Sequence, residues 1–164
     1  MPQKIIPNLW FDNEAKEAAE YYVSVFREGR IVNVTHYTEG SMRPAGTILT
    51  VEFELRGVRF TAINGGPHFR FDEAVSFEID CEDQAEIDYF WDELTSGGGQ
   101  ESQCGWCKDR YGLSWQVVPT GMAELFADAD PTRAQRAMAA MMEMRKLDVA
   151  TLQAAAEGAP QPAS

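Results

Sequence analysis

Hydrophobic and polar positions along this chain follow a pattern that occurs twice. Residues 9–29 align without a gap to residues 77–97, so the second copy follows the first by 68 positions. Asp12 then coincides with Asp80, and each copy reads as a strand, an acidic helix start, an aromatic pair and a final glycine. Because neither copy could bury its apolar face alone, the repeat predicts two modules packed around a shared core or cleft.

The first copy and the residues after it predict a strand, a helix and three more strands. Residues 5–11 are predicted to form the first strand, and Asp12 or Asn13 is expected to cap the helix. One helix face is apolar at the helical period, and it consists of Ala15, Ala18, Ala19, Tyr22, Val23 and Phe26. The later strands are predicted from β-rich or alternating segments, at residues 31–38, 49–55 and 58–62.

The second copy predicts a similar module and then a helical tail. A strand at residues 74–79 precedes a helix whose apolar face is Ile87, Phe90, Trp91 and Leu94. Two β-rich stretches follow, at 102–108 and 113–119, joined by a turn at 109–112. From Gly121 the chain is rich in Ala and Met, with a predicted apolar helix face of Ala134, Ala137, Met138, Met141 and Met142.

The composition is that of an ordinary globular protein, with 45% hydrophobic and 24% charged residues in 164. Lys and Arg number 14 against 26 Asp and Glu, a net charge of -12. Such a surface repels phosphate backbones, so no nucleic-acid partner is expected. No signal peptide and no apolar run of roughly 18 residues are visible, which predicts a cytoplasmic protein without a membrane partner.

Three cysteines do not make a disulfide framework in a chain of this size. Cys104 and Cys107 form a CxxC, but they fall in a predicted strand before a turn. A redox CxxC gains its reactivity at the N-terminus of a helix. Packing within the strand is therefore the favoured interpretation, and a redox or metal role is the alternative.

Three blocks of the sequence resemble the PhnB-like proteins of the vicinal-oxygen-chelate superfamily, which includes glyoxalases, extradiol dioxygenases and bleomycin-resistance proteins. The blocks are LWFDNEAKEAAEYYVSVF, NGGPHFRFDEAVSFEIDC and CGWCKDRYGLSWQVVP, and the resemblance spans residues 4–155. It implies an α+β fold in which two βαβββ modules form a barrel-like glyoxalase/bleomycin-resistance sheet with a ligand cleft, followed by C-terminal helices. It also implies a homodimer with a small organic ligand as its partner.

The resemblance implies a metal site whose residues this chain does not supply. Superfamily enzymes hold a divalent metal, commonly with His and Glu from strands of both modules. The corresponding neighbourhoods here contain Ile5, Thr61 and Ala74, and the closest match is Gln116, which follows the turn at 109–112. Catalytic metal sites need about three protein ligands. We therefore predict no metal and no cofactor.

The resemblance also suggests which residues line the cleft. The candidates are Trp10, Asn64, His68, Trp106 and Gln116. His68 lies in a glycine-containing loop at the junction of the modules, where it could act as a general base. The structural alternative is a loop histidine that hydrogen-bonds the backbone.

Two functions remain open, and the sequence does not decide whether the protein is an enzyme. The first is a metal-free protein that binds a small organic molecule in the cleft. The second is an enzyme of unknown reaction that uses His68, Gln116 and a cysteine. Proteins of this branch are often labelled 3-demethylubiquinone-9 3-methyltransferase, but no glycine-rich turn between a strand and a helix is present for a nucleoside cofactor.

The predicted organisation is a single domain over residues 1–156. Module one covers 4–66, module two covers 73–120, and the helical tail covers 121–156. Residues 157–164 are expected to be a frayed C-terminus.

Overall fold

The computed structural model describes residues 3–159. The chain divides into two compact units, with the boundary between Phe71 and Asp72. Each unit contains a four-stranded mixed sheet with a helix that follows the first strand. The predicted α+β class, the two βαβββ modules and the C-terminal helices are thereby confirmed.

Unit one has the element order that its hydrophobic pattern predicts. Its sheet order is β1-β4-β3-β2, with β1 parallel to β4 and the other neighbours antiparallel. The elements are β1 (Asn8–Phe11), α1 (Ala15–Phe26), β2 (Gly29–His36), β3 (Ile48–Leu55) and β4 (Val58–Asn64).

The core of unit one lies between α1 and one face of this sheet. Tyr22 stacks on Phe53 with ring centroids 5.9 Å apart, and Phe53 stacks on Phe60 at 5.3 Å. The predicted helix face is correct except at one edge, where Val25 is buried and Val23 is only partly buried. The buried stripe extends to Val25 because that residue lies one turn beyond the fully buried Tyr22.

The predicted cap of α1 is wrong. Neither Asp12 nor Asn13 occupies the cap position; Glu14 does, and its side chain makes no capping hydrogen bond. In unit two the equivalent helix carries its own cap, because the Asp83 carboxylate accepts a hydrogen bond from the Glu86 backbone N–H. The repeat is therefore imperfect at the start of the helix.

Unit two repeats the strand–helix–strand order and adds three helices. Its sheet order is β5-β8-β7-β6, and β5 is parallel to β8. Its first elements are β5 (Ser76–Cys81), α2 (Gln84–Thr95), β6 (Gln100–Glu101), β7 (Trp106–Lys108) and β8 (Ser114–Pro119). The C-terminal tail consists of α3 (Met122–Phe126), α4 (Pro131–Met142) and α5 (Val149–Glu157).

The strand predicted over residues 102–108 is interrupted in its middle. Cys104 and Gly105 both have positive φ angles, 58° and 83°, which end the extended backbone between β6 and β7. Their N–H groups donate to the carbonyls of Met144 and Arg145 at 2.8 and 2.7 Å. This Cys104–Gly105 turn, which we call the clasp, fastens the residues that follow α4 to the sheet.

The predicted face of α4 is correct in part, since Ala137 is buried and Met141 packs against a buried apolar cluster, but it is wrong for Met138 and Met142. Ala137 and Ala140 are buried, whereas Met138 is 46% and Met142 is 59% exposed. Because alanine side chains are small, α4 packs closely against a buried apolar cluster. The cluster is formed by Val118, Leu147, Leu152 and Ala155. Of the predicted frayed end, residues 160–164 lie outside the described residues, and Glu157 is the last residue of α5.

Between residues 3 and 159, none of the helices has both the length and the apolar character that crossing a bilayer requires.

Replacing Gly105 by alanine is expected to destabilise the protein. A Cβ at this position would lie 2.9 Å from Leu147 Cδ1 and 2.9 Å from the Val117 carbonyl oxygen. We expect the free energy of unfolding to fall by about 1–3 kcal/mol more than in the control Gly112→Ala, as measured by urea denaturation. The control has a similar φ of +84° but open space around its Cβ. Equal losses in both variants would contradict the packing role of the clasp.

Candidate functional site

Trp10 is held in place on the open face of the unit-one sheet, opposite α1. Its indole N–H donates to the Gly66 carbonyl at 2.8 Å, and its ring meets Phe69 edge-on at 5.0 Å. The indole lies directly against Gly65, where an added Cβ would come within 2.1 Å of the ring. The loop after β4 therefore needs glycine at this position in order to pass beneath the indole.

Arg43 and His68 both lie close to Gly66. An added Cβ on Gly66 would meet His68 Cδ2 at 3.5 Å and an Arg43 guanidinium nitrogen at 3.6 Å. Arg43 also donates to the Asp12 carboxylate at 2.8 Å, which orients the guanidinium. Within residues 3–159, the exposed His68 makes no hydrogen bond or ion pair.

We call Trp10, Asp12, Arg43, His68 and Phe69 the Trp10 cluster. It joins an aromatic surface, an oriented cation and a titratable imidazole beside one glycine pair. A guanidinium has five N–H donors, and its ion pair with one carboxylate leaves donors for a second anion. The cluster can therefore bind a planar apolar group next to a negative charge.

Asn64 lies immediately before this loop and has a structural role. Its side-chain oxygen accepts a hydrogen bond from the Ala15 N–H at 2.8 Å, and its amide nitrogen donates to the Ile48 carbonyl at 3.1 Å. The Tyr37 hydroxyl donates to the Asn64 carbonyl at 2.7 Å. These bonds join the start of α1, the end of β4 and the start of β3, which fixes where the loop leaves the sheet.

In unit two, Gln116 and Trp106 are neighbours in register on adjacent strands. The Gln116 amide donates to the Ser76 hydroxyl at 2.9 Å. Trp106 lines a cavity of about 110 Å³ together with Lys108 and Glu73. Lys108 lies 2.5 Å from Glu73, and this hydrogen-bonded pair holds the pKa of Glu73 below its ordinary value. Ligand sites for organic molecules are usually about 300–1,000 Å³, so this cavity is small for one.

The C-terminal tail contains a larger cavity, of about 460 Å³. Apolar side chains of α3 and α5 line it, with Arg133 as its cationic residue. Arg133 donates to Asp128 at 3.0 Å, and the hydrogen bond from the Asp130 backbone N–H, together with this one, lowers the pKa of the Asp128 carboxyl. Arg133 is thus paired with a carboxylate, as Arg43 is, but none of the described residues that line this cavity is aromatic.

The donors on the open faces do not fit the divalent metal that the family resemblance implies. In unit one, β1 and β4 present Asn8, Trp10, Thr61 and Ile63 on this face. In unit two, Glu78 is paired in register with Gln116 and is the carboxylate beside it. No group of three or more His, Cys, Asp or Glu side chains within residues 3–159 could hold a metal ion.

The CxxC is a structural turn followed by a buried strand residue. Cys104 forms part of the clasp, and Cys107 lies in β7 with 1% of its surface exposed. Burial, with the negative charges of Asp109 and Glu101, raises the pKa of the Cys107 thiol to about 12. A reactive CxxC cysteine has a lowered pKa, so this environment disfavours redox chemistry at Cys107.

The structure brings some of the predicted site residues together and reveals others. Trp10 and His68 meet at one loop of unit one, while Trp106 and Gln116 are neighbours within unit two. Sequence reasoning missed Arg43, which lies in the loop at residues 40–46. The sequence signal that could have indicated Arg43 was a basic residue in a loop of a strongly acidic chain. Its partner Asp12 could not be predicted, because their ion pair is a tertiary contact.

Two successive βαβββ modules define a protein of the vicinal-oxygen-chelate class. A sequence model of the family described as 3-demethylubiquinone-9 3-methyltransferase matches residues 3–118. The chain belongs to this family, in its PhnB-like branch. No match was found among curated proteins.

Solved structures agree with this assignment. A PhnB protein from Bacillus cereus is 32% identical, with a TM-score of 0.65, over 72% of this chain and 100% of that chain. PA1353 from Pseudomonas aeruginosa is 20% identical, with a TM-score of 0.59, over 72% and 98% of the two chains. The fosfomycin resistance protein FosX from Mesorhizobium loti is 10% identical, with a TM-score of 0.55, over 78% and 99%. The last two show the fold alone.

Replacing Asn64 by alanine is expected to lower the free energy of unfolding by about 1–3 kcal/mol, because the buried Ala15 N–H loses its acceptor. Chemical denaturation would measure this loss. The control is Asn33→Ala, at an exposed position of β2, for which we expect a change within about 0.5 kcal/mol. Similar values for the two variants would refute the structural role of Asn64.

Thiol reactivity should distinguish the three cysteines. Cys104 is partly exposed, whereas Cys81 and Cys107 are buried, and the raised pKa of Cys107 removes its thiolate at pH 8. We expect Ellman's reagent at pH 8 to modify Cys104 alone in the native protein and all three cysteines in denaturant. Cys104→Ser should abolish the rapid native reaction. Rapid native labelling of Cys107 in that variant would contradict the prediction.

Proposed function

We propose that this protein binds a small organic anion at the Trp10 cluster, without a resident divalent metal ion. The observation that carries the proposal is the Arg43 guanidinium, which Asp12 orients beside the same Gly65–Gly66 pair that contacts the indole of Trp10, the edge-on partner of Phe69. The ligand class that matches this surface is a planar apolar molecule with a carboxylate or phosphate group. Homodimerisation, which the family resemblance implies, is part of the proposal.

The fixed positions of the Trp10 and Arg43 side chains favour a ligand-binding role for the Trp10 cluster. Trp10 is anchored by its hydrogen bond to Gly66, and Arg43 by its ion pair, so both side chains are held before a ligand arrives. Preorganised groups lose less conformational entropy on binding. Arg43 also gives this surface a positively charged group, although the chain as a whole has a net charge of -12.

An enzyme that uses His68 as a general base is the second candidate. The exposed imidazole lies near the same glycine as Arg43, and no protein partner within residues 3–159 occupies its nitrogens. If this candidate is correct, His68→Gln should abolish turnover of a bound substrate while leaving its affinity nearly unchanged. For the binding protein alone, the variant should change affinity and there should be no turnover.

The methyltransferase activity in the family's description is not what we propose. A nucleoside cofactor is usually bound where a glycine-rich turn joins a strand to a following helix. The glycines at residues 97–99 instead follow α2 and precede β6. The strand orders of the two sheets also differ from that of a doubly wound parallel sheet.

The proposal is tested with two probes that share a ring system, 1-naphthoate and the neutral 1-naphthalenemethanol. We expect saturable quenching of tryptophan fluorescence by naphthoate. Arg43→Gln should weaken naphthoate binding by about tenfold or more, the loss of one charge-assisted hydrogen bond. The same variant should leave binding of the alcohol nearly unchanged.

Arg59→Gln is the matched control, because Arg59 lies on the same open face and pairs with Glu52 at 2.6 Å. It should bind naphthoate like the natural protein. Absence of saturable naphthoate binding, or equal losses in both variants, would contradict the proposed site. Native mass spectrometry that finds one divalent metal ion per chain in protein purified without chelators would contradict its metal-free character.

A further inference from the structure

Two sulfur-bearing side chains of unit two are in contact, and a third lies one helix turn away from one of them. The Cys104 thiol lies 3.6 Å from the thioether sulfur of Met142, towards which it donates its proton. Met138 lies one turn earlier on α4, so its side chain is on the same helix face as that of Met142. Met138 and Met142 are 46% and 59% exposed, and core packing therefore does not explain their presence.

The backbone holds these sulfur atoms in position. Cys104 donates its N–H to the carbonyl of Met144, only two residues beyond Met142, and Gly105 donates to the next carbonyl. The positive φ of Cys104 is maintained by these two bonds, and the adjacent Gly105 has no room for a side chain. The clasp thus fixes the backbone positions from which the thiol and the thioether approach each other.

We infer that Cys104, Met138 and Met142 form a binding site for a soft monovalent metal ion, Cu(I). Thiolate and thioether ligands select soft ions such as Cu(I). Zinc sites are built from Cys, His and carboxylate ligands, so a set with two methionines does not suit zinc. One thiolate also balances the single positive charge of Cu(I), and the two thioethers add no charge.

The distance between the sulfur atoms agrees with this assignment. Metal–thiolate bonds in proteins are about 2.3 Å long. Two bonds of that length span the observed 3.6 Å separation at an angle of about 100°, close to tetrahedral. An ion could therefore bind to Cys104 and Met142 with little movement, and the flexible side chain of Met138 would complete the site.

Binding replaces the thiol proton by the metal ion. The Cys104 S–H bond breaks, a Cu–S bond forms in its place and one proton is released to solvent, with no change in oxidation state. The proton that is lost is the one that points at Met142. Affinity should therefore fall as the pH is lowered, because protons then compete for the thiolate.

The site is independent of the small-molecule binding proposed above. It lies in unit two, and both methionines belong to the tail, beyond the residues 3–118 that the family model matches. The ligand proposed for the Trp10 cluster involves unit one only. Each proposal can therefore fail without affecting the other.

Anaerobic titration of the reduced full-length protein with Cu(I), in competition with the chromophoric chelator bicinchoninate, tests the inference. We expect one Cu(I) ion per chain. Met142→Leu, which preserves side-chain volume, should weaken binding by at least about tenfold, and Cys104→Ser should abolish it. The exposed Met42 of unit one, which has no thiol partner among the described contacts, supplies the control Met42→Leu, for which no change is expected.

Thermal unfolding of the metal-free variants separates the loss of a metal ligand from the loss of folding. Met142→Leu should have the same melting temperature as the natural protein. Failure of the natural protein to retain Cu(I) against the chelator would overturn the inference. Full-strength binding by Cys104→Ser or by Met142→Leu would overturn it as well. Met138→Leu should weaken binding to a lesser degree, and an unchanged affinity would remove that residue from the site.

Discussion

The hydrogen bonds of Asn64 are the interaction on which the arrangement of unit one depends. One amide satisfies the first N–H of α1 and a carbonyl of β3, while the Asn64 carbonyl receives the Tyr37 hydroxyl. In the second copy of the repeat Asp83 caps its own helix, and the aligned position in the first copy is Ala15. A residue distant in sequence therefore replaces a local cap, and buried N–H groups rarely remain unpaired.

This arrangement also determines where the candidate site forms. The loop begins at Asn64, passes beneath the Trp10 indole at Gly65 and bonds it at Gly66. Arg43 lies close to Gly66 of the loop and is held by its ion pair with Asp12. The indole of the Trp10 cluster is thus positioned by a hydrogen bond to the backbone and its guanidinium by an ion pair, and both contacts join residues that are distant in sequence.

Unit two uses backbone hydrogen bonds for a different purpose. The clasp at Cys104 and Gly105 fastens the tail, and the alanine face of α4 completes a small apolar core with Val118 and Leu152. The Bacillus cereus relative is matched over its whole length by 72% of this chain, while the family model ends at residue 118. The helices α3, α4 and α5 therefore lie beyond the residues that the family model matches.

Periodicity and the internal repeat predicted two modules, the order of strands and helices and most helix faces, and the family resemblance of the sequence implied the α+β class. All four predicted residues of α2 are buried, because an amphipathic helix has one way to exclude its apolar stripe from water. Tertiary contacts decided the cap of α1, the break at Cys104, the exposure of Met138 and Met142, and the role of Arg43. Each of these depends on a partner far away in sequence, and local pattern carries no information about which distant group will satisfy a buried donor or a charge.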